Sequence, residues 1–159
     1  MAYAVVLLDW QSNPVLFWGD LCGVNGPNGP KPASYGRLIA KLAMIRKLYA
    51  YGPQNDYFDN PSCVGFTRLG SATHSNGAGI AVVISKSRKP QTKRMNVGRQ
   101  HGGERWTDML RGAQGEVRID DEGWGLFPIQ ANQGSGCVAV WSNSAALDRG
   151  RLDTVNLAI

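Results

Sequence analysis

The sequence predicts a mainly β protein, an antiparallel β-sandwich with Greek-key connections that follows a short α/β segment. Three observations support this prediction. Seven short strand-like runs, separated by turn clusters, follow Tyr51. The first fifty residues instead alternate helix, strand, loop and helix. The chain also holds 20 glycines, 8 prolines and 5 tryptophans, a composition typical of β-rich domains with many turns.

The opening segment has the pattern of a partial α/β unit. An apolar helix over Met1–Gln11 precedes a continuous apolar run at Val15–Trp18, which is typical of a buried parallel strand. A loop rich in glycine and proline follows at Gly23–Ser34, and Ser34 is expected to cap a helix over Tyr35–Tyr49. One parallel strand has no neighbours in this chain, so its backbone groups and both its faces need partners from elsewhere.

The remaining residues alternate short apolar runs with turn clusters, as the strands of a sandwich do. Ile80–Ile84 is apolar throughout and is expected to lie centrally, and Asp120–Gly123 is expected to form an exposed turn between two paired strands. Residues 143–159 show no strong period and form an unassigned tail. The predicted strands are Val64–Arg68, Gly79–Ser85, Lys93–Val97, Arg105–Asp108, Glu116–Ile119, Trp124–Pro128 and Cys137–Trp141.

Composition excludes several classes of protein. With 43% hydrophobic and 18% charged residues over 159 positions, the chain is an ordinary globular sequence and not a disordered one. Its longest apolar run, Ala2–Leu8, is too short to cross a membrane and lacks the features of a signal peptide. Three scattered cysteines are too few for a disulfide framework or a zinc site. We therefore expect a reducing compartment and a cytoplasmic location, without a membrane partner.

The net charge of +5 is concentrated in one stretch, which holds six cations within fourteen residues and no acid. Clustered lysine and arginine side chains can neutralise phosphates, so nucleic-acid binding is one interpretation. The stretch has no interleaved aromatic residue and no groove-reading helix motif, which favours a solvated loop and strand face and predicts no nucleic-acid partner. The six cations are Lys86, Arg88, Lys89, Lys93, Arg94 and Arg99.

No catalytic constellation is visible. His74 and His101 have no metal-ligand or triad partner nearby in the sequence, and both are expected to be turn residues. Asp56 and Asp59 are close enough in sequence to suggest the carboxylate pair of glycoside hydrolysis, but capping of turns and pairing with lysine or arginine is favoured. Asp20 follows the expected parallel strand, where a hydrogen bond that orders the next loop is favoured over an active-site role.

Several segments together resemble the C-terminal part of α-amylases of glycoside hydrolase family 13, with the liquefying bacterial and intracellular fungal enzymes most similar. Their order and spacing extend over about 140 residues. The family usually has tyrosine where this chain has Trp18. The matching segments are Ala2–Ala4, Pro14–Asp20, Arg46–Gly52, Asn55–Asp59, Val64–Arg68, Gly79–Val83, Val97–His101, Trp106–Asp108, Asp121–Gly125 and Val138–Trp141.

The resemblance implies a division of the chain and an activity. Residues 1–52 would be the C-terminal fragment of a (β/α)8 barrel, with Val15–Trp18 as its eighth strand and Tyr35–Tyr49 as its closing helix. Residues 53–142 would be the β-sandwich called domain C, and 143–159 a tail. Family members cleave internal α-1,4 bonds of starch or glycogen with retention, and use an Asp, a Glu and a second Asp that would all precede Met1. We therefore expect no catalytic residue here and no activity of the chain alone; substrate-binding residues and oligomeric state are left open.

The resemblance also raises the question of calcium. Some relatives bind calcium between barrel and domain C through two aspartates, and the matching positions here are Ser62 and Lys86. A lysine ammonium repels a cation that requires oxygen ligands, so no metal bound by this chain is expected.

Two other functions remain open. The first is a non-catalytic carbohydrate-binding module, in which Trp106, Trp124 or Trp141 stacks on sugar rings, although burial of these tryptophans in the core is favoured. The second is a protein that docks on a partner through the basic stretch 86–99, for which only the charge argues.

Overall fold

The computed structural model describes residues 1–131 and 137–154. It contains three α-helices: α1 (Ala2–Leu8), α2 (Trp18–Cys22) and α3 (Gly36–Tyr49). Single turns of 3-10 helix lie at Ser75–Gly77, Arg99–His101 and Arg149–Leu152. The strands are β1 (Val24–Gly26), β2 (Gly29–Lys31), β3 (Gln54–Tyr57), β4 (Cys63–Arg68), β5 (Ile80–Ser85), β6 (Gln91–Asn96), β7 (Arg105–Asp108), β8 (Val117–Arg118), β9 (Trp124–Ile129) and β10 (Cys137–Asn143).

An antiparallel sheet of six strands organises the molecule, in the order β3-β4-β5-β10-β7-β8. A two-stranded sheet, β6-β9, covers one of its faces, and β1-β2 is a separate small hairpin. The mainly β, antiparallel class is thereby confirmed.

The six-stranded sheet is buried on both faces, which explains the continuous apolar run in β5. Ala81 and Val83 point into the core shared with β6-β9, where Trp106, Phe127 and Trp141 are fully enclosed. The alternate residues of β5 belong to a second core beneath α1 and α3, which includes Leu8 and Ile45. A strand covered by a sheet on one side and by helices on the other is apolar at every position. The central location predicted for Ile80–Ile84 is therefore confirmed.

The helix over Tyr35–Tyr49 is confirmed as α3, but its predicted start is wrong in detail. Tyr35 occupies the N-cap position, without a side-chain capping bond, and Ser34 does not cap the helix. Along α3, Leu42, Ile45 and Tyr49 are buried as the helical spacing predicts, whereas Leu38 is 39% exposed.

The strand predicted at Val15–Trp18 is wrong. The chain is irregular from residue 12 to residue 17, and α2 then begins at Trp18. An isolated strand has no hydrogen-bonding neighbour, and the described part of the chain supplies none. The apolar run consequently lies on the surface, with Val15 88% exposed.

Three other expectations need correction. The strand β3 was not predicted; it is a polar edge strand that pairs with β4. Asp120–Gly123 does form a turn, but the flanking strands are not paired with each other: β8 pairs with β7, and β9 with β6. Within the predicted tail, β10 extends to Asn143 and Leu152 is buried in the helical core; residues 155–159 lie outside the described part.

Candidate functional site

The most prominent surface feature is a set of large apolar side chains exposed in the first 38 residues. We call this set the apolar surface. Soluble chains normally expose such side chains singly, and a concentration of them in one segment indicates a surface that packs against something else. Its members are Val5, Val6, Val15, Phe17, Trp18, Val24, Tyr35 and Leu38, each 39–88% exposed; Met1 and Trp10 are also exposed in this segment but are not counted in the set.

A cleft of about 730 Å³ opens beside the apolar surface. It lies among α1, the β1-β2 hairpin and the first turns of α3, and Leu110 and Val138 of the sandwich also line it. The Tyr3 hydroxyl donates a hydrogen bond to the Asp20 carboxylate at its wall. This bond raises the pKa of Tyr3, because removing the phenolic proton would place two negative charges together.

Local sequence fixes the position of α2 against α3. Gly36 is buried at the first turn of α3, and a Cβ atom there would lie 2.0 Å from the carbonyl oxygen of Leu21. Only glycine allows this close approach of the two backbones. The aligned ends of α2 and α3 therefore form one wall of the cleft.

The acidic residues considered for catalysis do not form a carboxylate pair. Asp56 accepts a hydrogen bond from the Gln54 amide at 2.8 Å, whereas Asp59 forms an ion pair with the buried Lys93 ammonium. The Lys93 hydrogen bond holds the pKa of Asp59 below its usual range. The pairing of Asp59 with a lysine is thus confirmed. Asp20 accepts a hydrogen bond from Tyr3, within the segment before α3, and does not follow a strand.

The two histidines occupy different environments. His74 is exposed in a turn, as predicted, and its ring stacks on Tyr51 with 3.6 Å between centroids. His101 was also predicted to be a turn residue, but unlike His74 it is buried, with an exposed fraction of 2%. Its ring nitrogens lie 2.9 Å from a Glu104 carboxylate oxygen and 3.0 Å from the Leu69 carbonyl oxygen, and it packs edge-on against Trp106. His101 therefore ties two loops to the sandwich core.

The tryptophans named for sugar stacking are largely unavailable. Trp106 and Trp141 are fully buried in the sandwich core. The Trp124 ring is partly exposed, but the Arg94 guanidinium lies over it, 4.1 Å from the ring centroid. The burial favoured for Trp106 and Trp141 is therefore confirmed.

The cationic side chains of the basic stretch point in different directions, in part because side chains alternate between the two faces of a strand. Lys93 points inward to Asp59, Arg94 covers Trp124, and Arg99 pairs with Glu122. Arg88 and Lys89 are exposed in the turn before β6. The six cations therefore do not share one continuous face.

Ser62 and Lys86 do come together: the Lys86 amide donates to the Ser62 carbonyl at 3.0 Å. A lysine ammonium cannot coordinate a cation and a serine hydroxyl offers one oxygen, so these two residue types are a poor donor set for calcium, which is held by several oxygens. In residues 1–131 and 137–154, no group of three or more His, Cys, Asp or Glu side chains is arranged to hold a metal ion. Across the same residues, no helix is long and apolar enough to span a bilayer.

The structure is an antiparallel β-sandwich that follows a short helical segment. Two solved structures share the fold. A truncated alternansucrase from Leuconostoc mesenteroides superposes with a TM-score of 0.71 at 18% identity, over 92% of this chain and 18% of that one. An Anoxybacillus α-amylase gives a TM-score of 0.57 at 14% identity, over 91% of this chain and 32% of that one. No family model matches the chain.

Comparison of the amino-acid sequence with known proteins finds relatives that are named α-amylases. The Bacillus licheniformis α-amylase is 38% identical over 129 residues, which are 81% of this chain and 25% of that enzyme. A glucan 1,4-α-maltohexaosidase of Bacillus sp. (strain 707) is 36% identical over 90% of this chain and 26% of that protein. The cytoplasmic α-amylase of Escherichia coli (strain K12) is 30% identical over 89% of this chain and 28% of that enzyme. The resemblance to α-amylases of family 13 is therefore confirmed, and the chain spans about a quarter of the length of these relatives.

Proposed function

We propose that this chain is the non-catalytic C-terminal portion of an α-amylase, an enzyme that cleaves internal α-1,4 bonds of starch or glycogen with retention. In this proposal the catalytic carboxylates belong to a (β/α)8 barrel to which residues 1–52 contribute, and the 159 residues alone do not hydrolyse starch. The similarity to about a quarter of two α-amylases and of a glucan 1,4-α-maltohexaosidase supports the assignment.

The apolar surface is the observation that carries the proposal. It contains Val15, Phe17 and Trp18, which belong to a run with the composition of a buried strand but are exposed here. Burial of one such aromatic side chain contributes about 1.5–3 kcal/mol, so several of them provide a strong driving force for packing against a barrel. A carbohydrate-binding module is less well supported, because Trp106 and Trp141 are enclosed.

The test is a chimera of the Bacillus licheniformis enzyme in which this chain replaces the matching quarter. We expect the chimera to fold and hydrolyse starch, because the apolar run then completes the barrel. The same chimera with Phe17→Asp should lose most activity, whereas Leu126→Asp on the sandwich, where the side chain is equally exposed at 61% against 62%, should keep it. A soluble, folded chimera without starch hydrolysis, or equal loss in both variants, would contradict the proposal.

Two further features belong to the same proposal. A cytoplasmic location is supported by three free cysteines and by the location named for the Escherichia coli relative. Fractionation of cells would test this location.

The lack of a bridging calcium is supported by the presence of Lys86 and Ser62 at the matching positions, which are joined by a backbone hydrogen bond. Without such a calcium, EDTA should leave the melting temperature of the chain unchanged.

A further inference from the structure

A second, separate pocket lies at the junction of α3 with the sandwich. It encloses about 420 Å³, and two aromatic side chains and three cationic ones line it. The aromatic residues are Trp10 and Tyr51, and the cationic ones are Arg46, Lys47 and Arg68. The pocket shares no lining residue with the cleft beside the apolar surface.

The cations of this pocket are not neutralised by ion pairs. Among residues 1–131 and 137–154, neither Arg46, Lys47 nor Arg68 forms a salt bridge with a carboxylate. Arg68 is only 8% exposed, and burial together with the nearby Arg46 charge lowers its pKa. A buried guanidinium without a carboxylate partner is costly and favours an anion beside it.

One nearby carboxylate interacts electrostatically with a cation of this pocket. Asp9 interacts electrostatically with Arg68, but its oxygens are already occupied by the Gln54 amide, the Gln11 backbone and the Ser12 hydroxyl. Three positive charges and this one negative charge leave a local charge of +2. A phosphate monoester carries about −1.5 to −2 at neutral pH, so it matches this charge better than a single carboxylate does.

Hydrogen bonds fix the walls of the pocket in advance. Arg46 donates to the carbonyl oxygens of Leu7, Asp9 and Ser12. Arg68 donates from Nε to the Gly52 carbonyl at 3.0 Å and from Nη1 to the Leu8 carbonyl at 3.4 Å. The Trp10 amide donates to Gln54 at 3.0 Å, and the Tyr51 hydroxyl donates to the Lys47 carbonyl at 2.7 Å. Guanidinium groups held in this way need little further ordering to receive phosphate oxygens.

The aromatic side chains suggest that the ligand carries a ring. Trp10 is 57% exposed at the edge of the pocket, although its backbone is anchored to Gln54. An exposed indole beside a cluster of cations offers a stacking face to the ring of a sugar or a base, while the phosphate reaches the charges. From this geometry we infer that the pocket binds a phosphate monoester of a sugar or nucleoside, with the phosphate on Arg46, Lys47 and Arg68 and the ring against Trp10.

Calorimetric titration of the 159-residue chain tests this inference, with inorganic phosphate, glucose 6-phosphate, AMP and unphosphorylated glucose as the four probes. We expect saturable binding of the two monoesters, weaker binding of inorganic phosphate, no binding of glucose, and weakening by added salt. A preference for glucose 6-phosphate over AMP, or the reverse, identifies the ring. Inorganic phosphate that binds as tightly as both esters would overturn the role of Trp10, and a lack of binding by all phosphates would overturn the site.

Matched variants locate the binding. Lys47→Gln should weaken both esters by about threefold to tenfold, since it removes one exposed cation at the pocket. Arg37→Gln removes one positive charge from an exposed position of the same helix outside the pocket and should change affinity less than about twofold. Trp10→Ala should weaken the esters at least about threefold and leave inorganic phosphate unchanged. Equal effects of Lys47→Gln and Arg37→Gln would show that binding is unspecific and the assignment wrong.

Discussion

Single residues of this sandwich combine polar chemistry with deep burial, and Lys93 is the clearest case. Its side chain is 7% exposed, and its ammonium donates to the Asp59 carboxylate and to the Cys63 carbonyl. Because this hydrogen bond lowers the pKa of Asp59 in the folded state, the pair stabilises the fold in full above the ordinary pKa of an aspartate. The stabilisation is lost as the pH falls through the lowered value.

Asp59→Asn should therefore lower the melting temperature at neutral pH by several degrees and reduce the loss of stability in acid. The variant leaves the buried Lys93 ammonium without its counter-charge, which is the physical cause of the expected decrease. Asp56→Asn is the matched control, because Asp56 is an exposed aspartate three residues away whose bond is to the neutral Gln54 amide. Thermal melts between pH 3 and pH 7 check this; the same profile for both variants would contradict the role of the Asp59–Lys93 pair.

At the scale of elements, α1 depends on α3 for its C-terminal end. The helix α1 has seven residues and no side-chain capping bond, so it is too short to be stable alone. Arg46 of α3 supplies the missing partners, with bonds of 2.6, 3.2 and 2.8 Å to the carbonyls of Leu7, Asp9 and Ser12. A guanidinium beside the negative end of a helix also interacts favourably with the helix dipole.

Arg46→Ala should lower the free energy of unfolding by about 2 kcal/mol, because it leaves carbonyl groups without a charged donor. Arg46→Lys should recover only part of the loss, since one ammonium does not reproduce the planar fork. Lys47→Ala, an exposed neighbour on the same helix, should change stability by less than about 0.5 kcal/mol. Urea unfolding measures all three, and a stable Arg46→Ala protein would show that α1 is held by its apolar contacts alone.

The accuracy of sequence-based prediction also differs between elements. Strands such as Cys63–Arg68 and Ile80–Ser85 were predicted to within a residue, because burial on one or both faces leaves a strong apolar pattern. Gln54–Tyr57 was missed, since an edge strand with polar side chains resembles a loop in sequence. His101 was interpreted as a turn residue because its burial depends on a contact with Leu69, which is distant in sequence.

The candidate sites show the same limit. Val15–Trp18 was predicted to be a strand that needs partners; it is not a strand here, but Val15, Phe17 and Trp18 are exposed. The phosphate pocket had no signal in the sequence: Trp10, Arg46 and Arg68 belong to α1's C-terminal flank, to α3 and to β4, and only packing brings them together. The cleft beside Tyr3 and Asp20 was likewise not predicted, since it depends on the approach of α2 to Gly36.

On the scale of the whole molecule, the sandwich is enclosed on both faces of its main sheet, while the first 38 residues leave large side chains in water. Such an imbalance predicts self-association of the isolated chain, driven by the apolar surface.

Phe17→Asp should weaken this association by about tenfold or more, the equivalent of losing one buried aromatic contact. Leu126→Asp should have little effect, although Leu126 is 61% exposed, because its neighbours on the two-stranded sheet include the polar Thr92 and Arg94. Sedimentation velocity over a range of concentrations measures both variants. A monomeric wild-type chain at high concentration would mean that the apolar surface is covered by the chain itself in solution, and that a barrel is not needed to bury it.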